Sequence, residues 1–215
     1  MRSFDAVVLA GGRAERLGGR DKPGLRVGGA ALVERVVAAV RGARTVVVVG
    51  PARGGLPAGV VFAREEPPGG GPVPALRAGL AALAESPAPW VALLAGDLPF
   101  LRPEHVAVLA GAAARNGAGA VLEDDERRPQ WLVGVWSRGR LSVALEAYQG
   151  RSLRGLLGPL GPALVRLEPG AAGTPPWFDC DTMDDLRLAR GLAGTGPAGE
   201  AGGAGTEGAQ PHERA

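Results

Sequence analysis

Phe4-Asp5-Ala6-Val7-Val8-Leu9-Ala10-Gly11-Gly12-Arg13-Ala14-Glu15-Arg16-Leu17-Gly18-Gly19-Arg20-Asp21-Lys22-Pro23 is the stretch that decides how this chain folds. Its first seven residues form a valine-rich apolar run stopped by two glycines, the pattern of a strand buried on both faces. Such a strand belongs inside a sheet covered by helices on either side. The glycine-rich, basic segment that follows leaves the strand's carboxyl end, where ligands of open parallel sheets bind.

Working outward, apolar residues at helical spacing predict a helix over 30–40. Thr45 to Val49 predicts a second buried strand, closed by Gly50-Pro51. A weak strand over 60–63, a helix over 74–84 and a strong strand over Trp90 to Ala95 continue the alternation. Gly96-Asp97 ends that strand, and a helix over 103–115 opens with proline in its first turn. Strands over 119–122 and 130–136 flank the acidic turn Glu123-Asp124-Asp125-Glu126. Helices over 141–148 and 152–157, a strand over 163–167 and a last helix over 183–191 complete the pattern. Alternating strands and helices of these lengths predict a Rossmann-like, three-layer α/β fold with a mostly parallel central sheet, because parallel strands need helical crossovers. Residues 1–191 are expected to form one domain. Residues 192–215, rich in Gly, Ala, Glu and Thr without apolar periodicity, are expected to be a disordered tail.

Composition narrows the function classes. With 215 residues and 46% hydrophobic content the chain can build one sizeable core. No apolar run reaches the roughly 18 to 20 residues of a membrane span, and no signal-peptide pattern opens the chain, so a cytoplasmic protein without membrane partners is expected. The single cysteine, Cys180, excludes an intrachain disulfide framework and a multi-cysteine zinc site. The net charge of +2 is spread along the chain without basic runs or interleaved aromatics, which argues against nucleic-acid binding. Lys22 is the one lysine among 24 basic side chains, and a lysine retained in so arginine-rich a chain suits a place that needs a compact, flexible ammonium.

Four constellations carry chemistry. In the segment from Leu9 to Lys22, glycines allow backbone N–H groups close to phosphate oxygens, and Arg13, Arg16 and Lys22 can offset the charge of a triphosphate. No Gly-Lys-Ser/Thr and no G-x-G-x-x-G follows, which disfavours the P-loop and the dinucleotide-binding folds. Asp97, in Gly96-Asp97-Leu98-Pro99-Phe100-Leu101, lies straight after the strongest strand, where a carboxylate can hold Mg2+ against phosphates; capping of the next helix is the alternative. In Asp179-Cys180-Asp181-Thr182-Met183-Asp184-Asp185-Leu186, Thr182 and the acidic pair after it suit a helix N-terminus. Glu65-Glu66 followed by Pro67-Pro68-Gly69-Gly70-Gly71-Pro72 either edges a base pocket or simply connects two elements. Trp131 and Trp136 are read as core, and Cys180, flanked by carboxylates, is a poor nucleophile. His105, at a helix start, and His212 form no triad.

The first of these segments strongly resembles the signature L-A-G-G-x(3)-R-[LM]-G-x-x-K of the MobA-like molybdenum cofactor guanylyltransferases, within the wider nucleoside-triphosphate transferase superfamily. Gly18-Gly19-Arg20-Asp21-Lys22 takes the G-G-x-D-K form found there. Gly96 to Leu101 matches the family's G-D-x-P-x-L loop, and Asp179 to Leu186 matches its N/D-x-[ND]-T-x-x-[DE]-L element. The resemblance implies a nucleotide-diphospho-sugar-transferase-like fold and transfer of GMP from GTP, or of another nucleotide from its triphosphate, to molybdopterin or a similar phosphorylated acceptor. It implies Mg2+ as cofactor, molybdoenzyme-maturation proteins as further partners, and catalytic roles for Arg16, Lys22 and Asp97. Nucleotide contacts are implied for Leu9, Ala10, Gly11, Gly12, Arg13, Lys22 and Glu66, and metal ligation for Asp97 and Asp181. One departure bears on the base: where many relatives place an asparagine after the second strand, this chain has Gly50-Pro51. CMP transfer to the same acceptor, transfer to a sugar phosphate, and a catalytically silent nucleotide-binding partner remain the alternatives.

Overall fold

A computed structural model describes residues 3–11, 21–168 and 174–194. Seven strands form one sheet: β1 (Phe4–Leu9), β4 (Val46–Val49), β5 (Val61–Ala63), β6 (Trp90–Ala95), β7 (Gly119–Glu123), β8 (Pro129–Ser137) and β9 (Ala163–Val165). Across the sheet they stand in the order β5-β4-β1-β6-β8-β7-β9. Neighbours run parallel except β8, which is antiparallel to both β6 and β7. A tight β7–β8 hairpin makes that reversal, and a two-to-five-residue turn permits antiparallel pairing only.

Both faces of the sheet are covered, which is why β1 reads as a continuous apolar run. Ala6, Val8 and Ala10 face α1 (Leu32–Ala39) and α3 (Pro103–Asn116), in a core shared with Val33, Val36, Val37, Val106 and Leu109. Val7 faces the other way, into a core built with Leu76 of α2 (Pro72–Ala81), Leu141 and Leu145 of α4 (Arg138–Ala147), and Leu153, Leu156 and Leu157 of α5 (Leu153–Leu157). Gly79 of α2 lies against Val7, and a side chain there would overlap its methyl groups, so α2 rests close on β1. The three-layer arrangement is the one expected from the alternation of elements.

Several boundaries differ from the sequence expectation: α4 opens at Arg138 rather than at 141, α2 ends at Ala81 rather than at 84, and β9 ends at Val165 rather than at 167. Ala30–Ala31 is not helical but forms β3, paired with β2 (Arg26–Val27) across Gly28-Gly29. Both glycines have positive φ, 55° and 82°, the conformation a two-residue hairpin turn demands. Helix α2 begins at Pro72, two residues early, because proline fits a first turn where no N–H bond is missed. The last helix, α6 (Met183–Gly194), runs three residues into the range read as tail. Leu192 and Ala193 pack beside a small third core of Val27, Leu32, Phe100, Cys180, Leu186 and Ala189, and this contact continues the helix. Residues 195–215 lie outside the described residues.

Candidate functional site

The carboxyl ends of β4, β1 and β6 lie side by side, Leu9 in register with Val49 on one side and Ala95 on the other. Ala10 N–H donates to Val49 O at 2.8 Å, and Gly96 N–H donates to Leu9 O at 2.9 Å. Two glycines make this approach possible. A Cβ on Gly96 would stand 2.9 Å from Ala10 Cβ, and one on Gly50, whose φ is 154°, would stand 2.6 Å from Ala10 O. The backbone at Ala10 and Gly11 is therefore held between two side-chain-free positions, as a close ligand-binding backbone requires.

Lys22 opens a short 3-10 turn, Lys22–Gly24, with Pro23 buried behind it. Its ammonium bridges Asp97 Oδ2, just past β6, and Asp181 Oδ1, just before α6. Three segments far apart in sequence thus meet at one point. The Lys22 and Asp97 side chains are only 17% and 16% exposed, while Asp181 is half exposed. Burial alone pulls the Lys22 pKa down, but Asp97 and Asp181 outweigh it and the net displacement is upward. Asp97 does not cap α3, whose N-cap is Arg102.

Asp181 is presented by the start of α6. Thr182 Oγ1 accepts from Asp185 N–H at 3.1 Å, and the Asp185 carboxylate accepts from Thr182 N–H at 2.7 Å, a reciprocal capping arrangement. Asp185 therefore works on the helix and Asp184 pairs with Arg187. The Asp179 carboxyl, on a residue with much of its surface in solvent, is raised by desolvation and then by the negative charges of Asp181 and Asp97, against the pull of Lys22. Cys180 between them is fully buried, and desolvation with the Asp97 charge pushes its thiol up to about 12. It is inert, as its neighbours imply.

These residues fit Mg2+. Asp97 Oδ1 is buried and has no hydrogen-bond partner among the described residues, so one carboxylate oxygen is left for a cation. Among the described residues no group of three or more His, Cys, Asp or Glu is placed to hold a metal. Mg2+ needs no such cage, since it is commonly held by one or two carboxylates together with substrate phosphates and water.

The other predicted residues divide. Leu9, Ala10 and Gly11 stand at the site; Gly12, Arg13 and Arg16 lie outside the described residues. Glu66 is exposed, and it is Glu65 that turns inward, with both carboxylate oxygens within 3.8 Å of where a Gly11 Cβ would be and Oε1 accepting from Gly69 N–H at 3.0 Å. The acidic pair pointed to the segment, but the choice between adjacent residues depended on how β5 ends. Arg53, which belongs to none of the four sequence constellations, also reaches the site. Its Nη2 donates to Ala10 O at 3.1 Å and pairs with Asp21 Oδ1 at 3.1 Å, and its Nε donates to Pro51 O at 3.3 Å. One signal was available, an arginine just past the carboxyl end of a central strand. Trp131, partly exposed, stacks on the fully buried Trp136 at 6.5 Å, and Gln130 donates to Asp124 at 2.8 Å. No helix among the described residues is long and apolar enough to cross a membrane.

The chain is similar to known proteins over most of its described length. A probable molybdenum cofactor guanylyltransferase from Opitutus terrae is 39% identical over 119 residues, 54% of this chain and 58% of that protein. A molybdenum cofactor guanylyltransferase from Nitrobacter hamburgensis is 28% identical over 196 residues, 87% of this chain and 93% of that protein. Among solved structures, 2-C-methyl-D-erythritol 4-phosphate cytidylyltransferase from Thermus thermophilus superposes with a TM-score of 0.62 at 25% identity, over 90% of this chain and 99% of that one. The family model described as MobA-like NTP transferase domain matches residues 6–165, and the chain belongs to that family of nucleotidyltransferases.

Proposed function

We propose that this nucleotidyltransferase moves GMP from GTP to molybdopterin with release of pyrophosphate, using Mg2+. The observation that carries the reading is the Lys22 ammonium shared between Asp97 and Asp181, beside a buried Asp97 oxygen that has no partner among the described residues. An oxygen of the acceptor's terminal phosphate attacks the α-phosphorus. A new P–O bond forms as the bond to the β-phosphate oxygen breaks, and the electron pair leaves with pyrophosphate. The acceptor phosphate is already ionised, so no general base is needed and the work is positioning and charge. Lys22 supplies a mobile positive charge to the phosphates, and the backbone at Gly11, past the last sheet hydrogen bond of Ala10, lies where a nucleotide can approach. Held by Asp97 and Asp181, Mg2+ would offset negative charge gathering on the phosphates.

Glu65 supports guanine. A carboxylate beside Gly11 can accept from both the N1–H and the N2 amino group of guanine, whereas cytosine offers it one exocyclic amino group. Gly50 supports the second reading, CMP transfer, since a Cβ there would stand 2.6 Å from Ala10 O, which leaves no room for the asparagine that resembled guanylyltransferases place there. Incubating the protein with Mg2+, molybdopterin and either GTP or CTP, then identifying the dinucleotide by mass, separates the two. Product from GTP alone supports the proposal. Product from CTP alone, or triphosphate binding without any product, overturns it. Asp97→Asn, nearly isosteric, is expected to lose turnover by far more than triphosphate affinity, because the ion acts most on the charge of the transition state.

A further inference from the structure

We infer that Arg53 is a positioning residue for Lys22. This inference rests on the nucleotidyl-transfer reading and adds to it a side chain that does not touch the reacting phosphates. The guanidinium comes from the turn after β4 and crosses the end of β1. There Nη2 holds Ala10 O and the carboxylate of Asp21 together, while Nε is fixed on Pro51 O. Asp21 immediately precedes Lys22, so one side chain ties the backbone of the nucleotide-approach site to the residue that launches the lysine.

The ion pair has the burial expected of a structural clamp. The Arg53 side chain is 11% exposed and that of Asp21 is 59% exposed, so the arginine is set within the fold and the aspartate is drawn to it from the surface. A guanidinium's fork holds several acceptors in fixed directions, which a single ammonium cannot do. Nη1 is buried without a hydrogen-bond partner among the described residues, and the contacts the guanidinium makes to them run through Nε and Nη2. The physical consequence concerns Lys22. Its ammonium must stay within reach of both Asp97 and Asp181, and its four-carbon stem is flexible, so its precision has to come from where its backbone begins. Arg53 through Asp21 sets that origin.

A double-mutant cycle on the full chain tests this. Arg53→Ala is expected to raise the KM for the triphosphate at least tenfold with a smaller change in kcat. In the Lys22→Ala background the same change is expected to cost little more, because the residue it positions is gone. Arg53→Lys is expected to rescue poorly, and Asp21→Asn to reproduce part of the defect. Full additivity of Arg53→Ala with Lys22→Ala, or an unchanged KM in a folded Arg53→Ala protein, overturns the inference. If Arg53→Ala does not fold, Asp21→Asn carries the same cycle, with the same two outcomes against it. Amide hydrogen exchange without nucleotide keeps the inference separate from the function it rests on. Faster exchange at Asp21 and Lys22 in Arg53→Ala supports the tie even if the wild type transfers nothing, and unchanged exchange overturns it.

Discussion

At the scale of single residues, burial decides which groups at this site can react. Cys180 lies between two aspartates at the centre of the site's sequence, yet its side chain is fully enclosed by Val27, Leu32, Phe100 and Leu186. With its thiol pushed up to about 12, almost none of it is thiolate at pH 8. Alkylation by iodoacetamide in the native protein is therefore expected to be slower than in the denatured protein by a factor of at least about 100. Comparable rates would mean the pocket opens freely. The same shift has a sign in stability. A thiol whose folded pKa lies above its unfolded value contributes stability below about pH 9, and that contribution is lost as the pH rises toward 12, by at most about 1.4 kcal/mol per pH unit. Replacing Cys180 by alanine should flatten that part of the stability profile, read by denaturant unfolding between pH 8 and 10. A steeper profile in Cys180→Ala would contradict the assignment.

At the scale of elements, the site exists because three strand ends come unusually close. Gly50 and Gly96 stand on either side of Ala10 where a Cβ would meet backbone or Cβ atoms inside contact distance. Gly50→Ala would also place a side chain at φ 154°, a conformation that favours glycine. We expect it to destabilise the fold by about 1–3 kcal/mol, the range for overpacking in a closed site, and to weaken triphosphate binding because Ala10 must move. Urea unfolding and calorimetric titration read the two effects; a neutral substitution would mean the loop after β4 yields without strain. These close approaches also explain what the sequence did and did not convey. Apolar runs closed by glycine marked β1, β4 and β6 correctly, because burial on both faces leaves a pattern in the residues themselves. Lys22, Asp97 and Asp181 were legible because each sits in a dense local motif. Arg53 and the inward turn of Glu65 were not, since what selects them is a neighbouring strand 43 and 54 positions from Ala10 and Gly11, and no local pattern encodes that distance. The Gly28-Gly29 hairpin carried a turn signal that apolar periodicity across Ala30 and Ala31 overrode.

At the scale of the whole molecule, α6 closes the third core, and its real end matters for stability. Deleting residues from Leu192 onward removes two side chains that pack beside Leu186 and Ala189, whereas deleting from 195 onward leaves them. The shorter chain is expected to be less stable than the longer one by about 1–2 kcal/mol, the scale for a half-buried leucine and an alanine; equal stability would place the helix's working end at Gly191. Ligand binding tests the assembly as a unit, because β1, β6 and α6 must all be in place for Lys22, Asp97 and Asp181 to meet. A nucleotide that binds only the folded state stabilises it by about 2.7 kcal/mol when present at 100 times its Kd. For a domain of this size that is a rise in Tm of roughly 5–10 °C. GTP with Mg2+ is expected to give that rise, and GTP without the ion a smaller one. In Asp97→Asn the increment due to Mg2+ should vanish while the part due to GTP alone survives, since Lys22 keeps Asp181 as its partner and remains free to meet phosphate. An undiminished Mg2+ increment in that variant would move the ion away from Asp97. Loss of both parts would instead show that the carboxylate holds the lysine in place, and that the charge at this site works through Lys22 before it works through the metal.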